Sequence, residues 1–178
     1  MATPLTQATG RLRCLVQGCC HGGLTTGPGI RYFNPHTRVG AIPALSGQCI
    51  HNTQGYSILT NVLIAAILFR MQWAGATAAL LGGTYFILTG MFRFIEESRR
   101  GEPQTKMIAG LRLYQWIALG SVAFGALLTR IPDHTPLSFE WNFSGPMWIA
   151  SLVSGLAWSF GMSMDFPEGK SRFSRLTG

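Results

Sequence analysis

The sequence predicts an all-α architecture, a polytopic bundle of about four transmembrane helices behind a polar, loop-rich N-terminal segment. Three observations lead there. Charged residues are few and clumped: no Lys, Arg, Asp or Glu lies between Arg38 and Arg70, Arg70 and Arg93, Arg112 and Arg130, or Glu140 and Asp165. A soluble helix must wet one face and normally carries a charge every turn or two, whereas uncharged runs of about 17 to 25 residues match the hydrocarbon thickness at ~1.5 Å per residue. Small residues recur inside the apolar runs, as close helix contact in lipid requires. Turn-forming residues concentrate instead in the first 56 positions.

Each element follows in order. Residues 1–56 are rich in Gly, Pro, Thr and Cys, with turn signals at GCCHGG, TGPG and FNPHT, so they read as mostly loop with a short helix over 10–17. The opening MATPLTQATG lacks a basic stretch followed by an apolar core, so insertion is expected to rely on internal spans. The first span covers residues 56–71, with polar Ser57, Thr60 and Asn61 at its start expected to face protein. The second covers 73–94, where Gly82, Gly83 and Gly90 allow close contact. The polar stretch RFIEESRRGEPQTK follows, and Gly101 and Pro103 stop the helix. A third span covers 108–129, with Tyr114 and Trp116 suited to the interfacial aromatic belt. After the proline-rich loop RIPDHTPLSFEWNFSGP comes a fourth span over 147–164. Its Ser151, Ser154, Gly155 and Gly161 again permit tight packing. The division is thus a polar segment 1–56, a helical region 57–164 and a polar tail 165–178.

The net charge of +7 is spread without a continuous basic tract, which argues against nucleic acid and for anionic membrane lipids as partners. All four cysteines, Cys14, Cys19, Cys20 and Cys49, lie in the first fifty residues. With His21 and His51 they could supply metal ligands, but adjacent cysteines and the C-x4-C spacing fit no common zinc knuckle. A disulfide and plain packing are the other readings of these thiols.

Three polar segments carry the candidate chemistry. The first is GRLRCLVQGCCHG from Gly10 to Gly22, in which Gly18, Gly22 and Gly23 either make turns or let backbone approach a ligand. The second is HNTQGY from His51 to Tyr56, at the entrance to the first span, where His51 is either a hydrogen-bonded anchor or a base that accepts a thiol proton near neutrality. The third is RFIEESRR, in which Arg93, Glu97 and Arg100 share one helical stripe at i, i+4 and i+7. That stripe reads either as a snorkelling helix end with a local ion pair, or as a phosphate clamp in which Glu97 orients one arginine and another stays open to a bidentate contact.

Taken in order, these segments resemble the prolipoprotein diacylglyceryl transferase family. GRLRCLVQGCCHG is similar to a cysteine-containing form of its central signature, HNTQGYS to its H-P-[ST]-Q-L-Y-E motif, and RFIEESRRGEP with GLRLYQW to its R-x-x-x-E-x-x-R motif and the following helix. The likeness covers roughly residues 4–130. Cys19 stands where many members have Glu, and Asn52, Gly55 and Ser57 replace Pro, Leu and Glu of the second motif. The resemblance implies a multi-pass enzyme of the bacterial inner membrane that moves diacylglyceryl from phosphatidylglycerol to the lipobox cysteine of a prolipoprotein, releasing glycerol phosphate. A thiolate that displaces a phosphate ester at carbon needs stabilisation of the leaving phosphate and a base for the thiol. By the motifs, Arg11 and Arg93 are candidate catalytic residues and phosphatidylglycerol ligands, Glu97 orients Arg93, and Arg100 supports the anionic lipid. Gln54 and Tyr56 line the site, and His51 is the candidate base. No metal or organic cofactor is implied.

Loop charge alone would put the Arg99, Arg100 and Lys106 loop in the cytoplasm, while the family topology puts it outside, where its arginines would meet lipid phosphate. The family's N-terminal spans lie upstream of the signature and would be needed to close the pocket, so weak or no activity is expected from this chain by itself. The reading from another class is a non-catalytic membrane paralogue that binds anionic lipid. A third is a metal or redox membrane protein built on the cysteine–histidine cluster.

Overall fold

The computed structural model describes residues 2–101 and 106–132, together with Ile149 and Val153. The described chain is mostly helical. Helix α1 (Ala2–Gln17) leads through a long loop into α2 (Thr53–Trp73), and a short turn with Gly75 in the left-handed region connects α2 to α3 (Ala78–Ser98). A two-residue antiparallel hairpin, β1 (Met107–Ile108) and β2 (Leu111–Arg112), then feeds α4 (Leu113–Leu128). The starts of these helices are locally encoded. Asn52 Oδ1 accepts from Gly55 N at 2.9 Å, Thr77 Oγ1 from Leu80 N at 3.4 Å, and Gln115 Oε1 from Arg112 N at 3.0 Å.

Helices α2 and α3 are each 21 residues long and apolar enough to cross a membrane, and most of each is left uncovered by protein. The exposed side chains include Leu59, Val62, Leu63, Phe69, Trp73, Met91 and Ile95, while Ser57, Asn61, Glu96 and Glu97 are buried. This is the reverse of a soluble helix, with polar groups inside and apolar groups outside, and Ser57 and Asn61 do face protein as expected.

Among the described residues two small apolar cores hold the chain. Ile64, Leu68 and Leu81 join α2 to α3, with Met71, Tyr85 and Leu88 packed against them. Tyr32, Val39 and Ile50 anchor the long loop. Burial raises the Tyr32 hydroxyl to about 12, so it stays a neutral donor, giving its proton to the Leu15 carbonyl at 2.7 Å and tying the loop to the end of α1. Between α3 and α4 the contact is backbone to backbone. A Cβ at Gly83 would come within 2.7 Å of the Gly125 carbonyl, and one at Gly90 within 2.7 Å of the Ala118 carbonyl. Gly82, by contrast, meets only the tip of Leu128.

The sequence reading needs amendment at three places, and a fourth expectation falls outside the described residues. The first helix begins at Ala2, because Gly10 is tolerated in its middle, where a side chain would meet nothing within 4 Å. The β1–β2 hairpin breaks the all-α pattern. It turns on Ala109 and Gly110, both at positive φ. In consequence α4 starts at Leu113 and is a 16-residue helix, shorter than the expected span. The fourth span over 147–164 lies outside the described residues except for Ile149 and Val153, both helical, and so does the tail.

Candidate active site

The long loop between α1 and α2 is what brings the three polar segments together. Gly22 N donates to the His51 carbonyl at 3.2 Å and His51 N to the Gly23 carbonyl at 2.9 Å, joining the first segment to the second. Gly23 N donates to the Arg99 carbonyl at 3.0 Å and Gly101 N to the His21 carbonyl at 3.1 Å, joining the first to the third. Only glycine fits this seam: a Cβ on Gly22 would collide with His51, and one on Gly101 would lie 2.6 Å from the Gly22 carbonyl.

The turn between Gln17 and His21 is sharp. Gly18 and Cys20 both take left-handed φ, at 67° and 57°. That conformation is uncommon for a residue with a Cβ, and the start of α2 holds it in place. Thr53 Oγ1 donates to the Cys20 carbonyl at 2.8 Å and Gln54 Nε2 to the Cys19 carbonyl at 2.7 Å, both from fully buried side chains.

Beside this turn lies a cavity of about 700 Å³, lined by the charged Arg11, Arg93, Glu97 and Arg100, by Cys14 and Cys20, and by Ser57, Asn61, Thr89, Tyr114, Ile117 and Ala118 among others. Two carboxylates divide the guanidinium groups. Glu96 meets Arg11 at 3.2 Å and Arg93 at 3.4 Å, while Glu97 meets Arg100 at 3.2 Å and Arg112 at 3.7 Å. Arg93 keeps half of its side chain exposed (51%), whereas Glu96 and Glu97 are buried. Burial alone would weaken the Arg11 cation, but Glu96, with Cys20 and Cys14, outweighs it and holds the guanidinium above its ordinary pKa. Among the described residues Arg100 Nε and Thr89 Oγ1 are buried with no hydrogen-bond partner, which leaves donor capacity at the cavity. Cys14, Cys19 and Cys20 are all free thiols, and their sulfurs lie within 4.8 Å of one another. Hydrogen bonding from Cys14 and then Cys19, against the opposing effect of burial and helped by Arg100 and Arg11, pulls the Cys20 thiol far below its usual range. The same hydrogen bonds push Cys19 far above it.

The expected residues therefore divide. Arg11, Arg93, Glu97 and Arg100 converge on the cavity. The carboxylate that Arg93 meets, however, is Glu96 at i+3, and Glu97 turns instead to Arg100 and Arg112. His51, Gln54 and Tyr56 are not brought to this cavity. His51 lies against Gly22 with its Nδ1 buried and unbonded, Gln54 holds the cysteine turn, and Tyr56 lines an adjoining cavity of about 400 Å³ with Ser57, Thr60 and Arg99. Sequence reasoning missed Glu96 and Arg112. The i, i+3 spacing of Arg93 and Glu96 was a readable signal for the first; nothing local marked the second.

The comparisons with known proteins agree with this assembly of motifs. The family model for prolipoprotein diacylglyceryl transferase matches residues 1–131. A phosphatidylglycerol–prolipoprotein diacylglyceryl transferase of Clostridium tetani is 30% identical over 128 residues, which cover 71% of this chain and 49% of that protein. The chain thus spans about half the length of that relative. No solved structure matches it. By the extent of the family match, this chain belongs to the prolipoprotein diacylglyceryl transferase family.

Proposed function

We propose that the chain carries the arginine-lined part of a membrane transferase site that moves a diacylglyceryl group from phosphatidylglycerol to the lipobox cysteine thiol of a prolipoprotein. The single observation that supports this most is the convergence of Arg11, Arg93 and Arg100 on one cavity that Ile117, Ala118 and the Tyr114 ring also line. Such a cavity matches a lipid with an anionic head and a hydrocarbon body. Arg93, half exposed and held by Glu96 from one side, is the guanidinium best placed to reach a headgroup phosphate. Arg11 and Arg100 are fixed by carboxylates, so their positive field is preorganised where charge grows on the departing phosphate.

In this reading the acceptor thiol gives its proton to solvent, its sulfur bonds to the glyceryl carbon, the carbon–oxygen bond to phosphate breaks, and glycerol phosphate leaves with the electron pair. The protein sits in the bacterial inner membrane. Helices α2 and α3, each about 31 Å long at ~1.5 Å per residue, make two of about four crossings. The residues around α4 and 147–164 make the others. The loop after α3 faces the outer side, where the lipid headgroups and the prolipoprotein meet it.

The test is a transfer assay in phosphatidylglycerol vesicles with a lipobox peptide. Weak transfer by the native chain that is lost in both Arg11→Ala and Arg93→Ala is the expected result, since each removes charge stabilisation of about 10²-fold or more. Lipid binding that survives both changes, with no transfer by any form, would replace this reading with that of a non-catalytic lipid-binding paralogue.

A further inference from the structure

The three sulfurs beside the arginine cavity are not explained by packing. Cys14, Cys19 and Cys20 are each only partly buried, and Cys14 and Cys20 line the arginine-bearing cavity rather than an apolar core. They come from two elements, the last turn of α1 and the left-handed turn at Gly18 and Cys20. The buried Thr53 and Gln54 side chains pin that turn from below. A conformation uncommon for a cysteine is thus held in place by neighbours, and its result is that three sulfurs lie within 4.8 Å of one another.

We propose that Cys14, Cys19 and Cys20 form a tris-thiolate site for a thiophilic divalent cation of the zinc class, with its open coordination position facing the arginine-lined cavity. Zinc–sulfur bonds of about 2.3 Å place ligand sulfurs roughly 4 Å apart, a separation that small side-chain rotations of this trio reach. Soft thiolate donors select zinc-like and other soft ions over magnesium or calcium. Three thiolates around a dication leave one net negative charge, and Arg11 and Arg100 border the same cavity to offset it. Three protein ligands and one open position is the arrangement of a reactive rather than a structural zinc site.

The role of the open position rests on the proposed function: it takes the acceptor thiol. A thiol bound to a dication gives up its proton, here to solvent, and neither His51 nor His21 lines the cavity to serve as a base. The coordinated sulfur then attacks the glyceryl carbon, a carbon–sulfur bond forms, the carbon–oxygen bond breaks, and glycerol phosphate departs. The thioether product binds the ion weakly and is released. The ion is held by all three cysteines as thiolates, those still protonated giving their protons to solvent on loading, and no oxidant or reductant is needed.

The experiment uses the whole chain, purified in detergent, reduced, and freed of reductant. Zinc(II) or cobalt(II) alone is added, and bound metal is measured by mass spectrometry after desalting. About one ion per chain is expected in the native chain and in Cys49→Ser, with at least ~10-fold weaker retention in Cys14→Ser, Cys19→Ser and Cys20→Ser. On the native chain, which needs no variant to fold, zinc should protect Cys14, Cys19 and Cys20 from maleimide and leave Cys49 reactive. Less than about a tenth of an ion per chain, equal retention in the three variants, or equal labelling with and without zinc would each overturn the site. A cysteine-containing peptide should then shift the cobalt absorption. No shift, or undiminished transfer after chelation, would overturn the acceptor role while leaving the proposed function standing. Metal protection without transfer would keep the ion site and count against the proposed function.

Discussion

One helix, α3, passes through two environments, and its halves are held by different physics. Toward its N-terminal end Leu81 packs against Ile64 and Leu68, and Gly83 and Gly90 bring its backbone against α4. Toward its C-terminal end Glus 96 and 97 are buried among arginines, and the residues just past the helix join the Gly22 seam. The first half is stabilised by shape and the second by compensated charge. An apolar contact degrades gradually when altered, because neighbours can shift. A buried ion pair degrades abruptly, because a charge left without its partner in a low dielectric keeps its full desolvation cost.

The largest effect should therefore come from the charged half. Glu97→Gln strands Arg100, which is almost fully buried, and should cost about 3–5 kcal/mol in chemical unfolding in detergent. Replacing both partners, Glu97→Gln with Arg100→Met, should recover most of that loss. A double variant as unstable as the single one would mean that charge compensation is not what holds this end.

Backbone approach comes next, and it tests both halves on one scale. A Cβ on Gly125 would lie 2.6 Å from the Gly83 carbonyl, and one on Gly101 would lie 2.6 Å from that of Gly22. Gly125→Ala and Gly101→Ala should each cost about 1–3 kcal/mol. They differ in where the damage appears: hydrogen exchange should quicken at the Gly23 amide only in Gly101→Ala. Quickening there in both variants would show that the two halves are one cooperative unit.

Smaller effects sharpen the contrast. Gly10→Ala, inside α1 with nothing within 4 Å of the new methyl group, should stabilise the chain by about 0.5–1 kcal/mol in the same unfolding measurement. Arg93→Ala removes the half-exposed member of the arginine set, and its ion pair with Glu96 should contribute only about 0–1 kcal/mol. Transfer should nonetheless fall with it, so a variant that folds like the native chain and has lost activity is the expected signature. An Arg93→Ala chain that unfolds as readily as Glu97→Gln would instead place Arg93 among the structural ion pairs.

What the sequence by itself determined follows from rules that act along the chain. Hydrocarbon thickness is read directly as uncharged length, so α2 was legible to within three residues at each end and α3 to within five, and Gly83 and Gly90 marked where α3 would be approached. The order of the three polar segments, and the arginines among them, were equally plain. What only the tertiary structure decided depends on helix rotation and on the loop that folds back. Glu96 and Glu97 are adjacent in sequence but point about 100° apart on the helix, so which one meets Arg11 depends on where α1 packs. Gln54 and His51 face the returning loop rather than the cavity, because the seam at Gly22 and Gly23 occupies their side of the α2 entrance. The meeting of Cys14 with Cys19 and Cys20 required two left-handed residues in a five-residue turn, a geometry that side-chain buttressing from α2 sustains and that local propensity would not select.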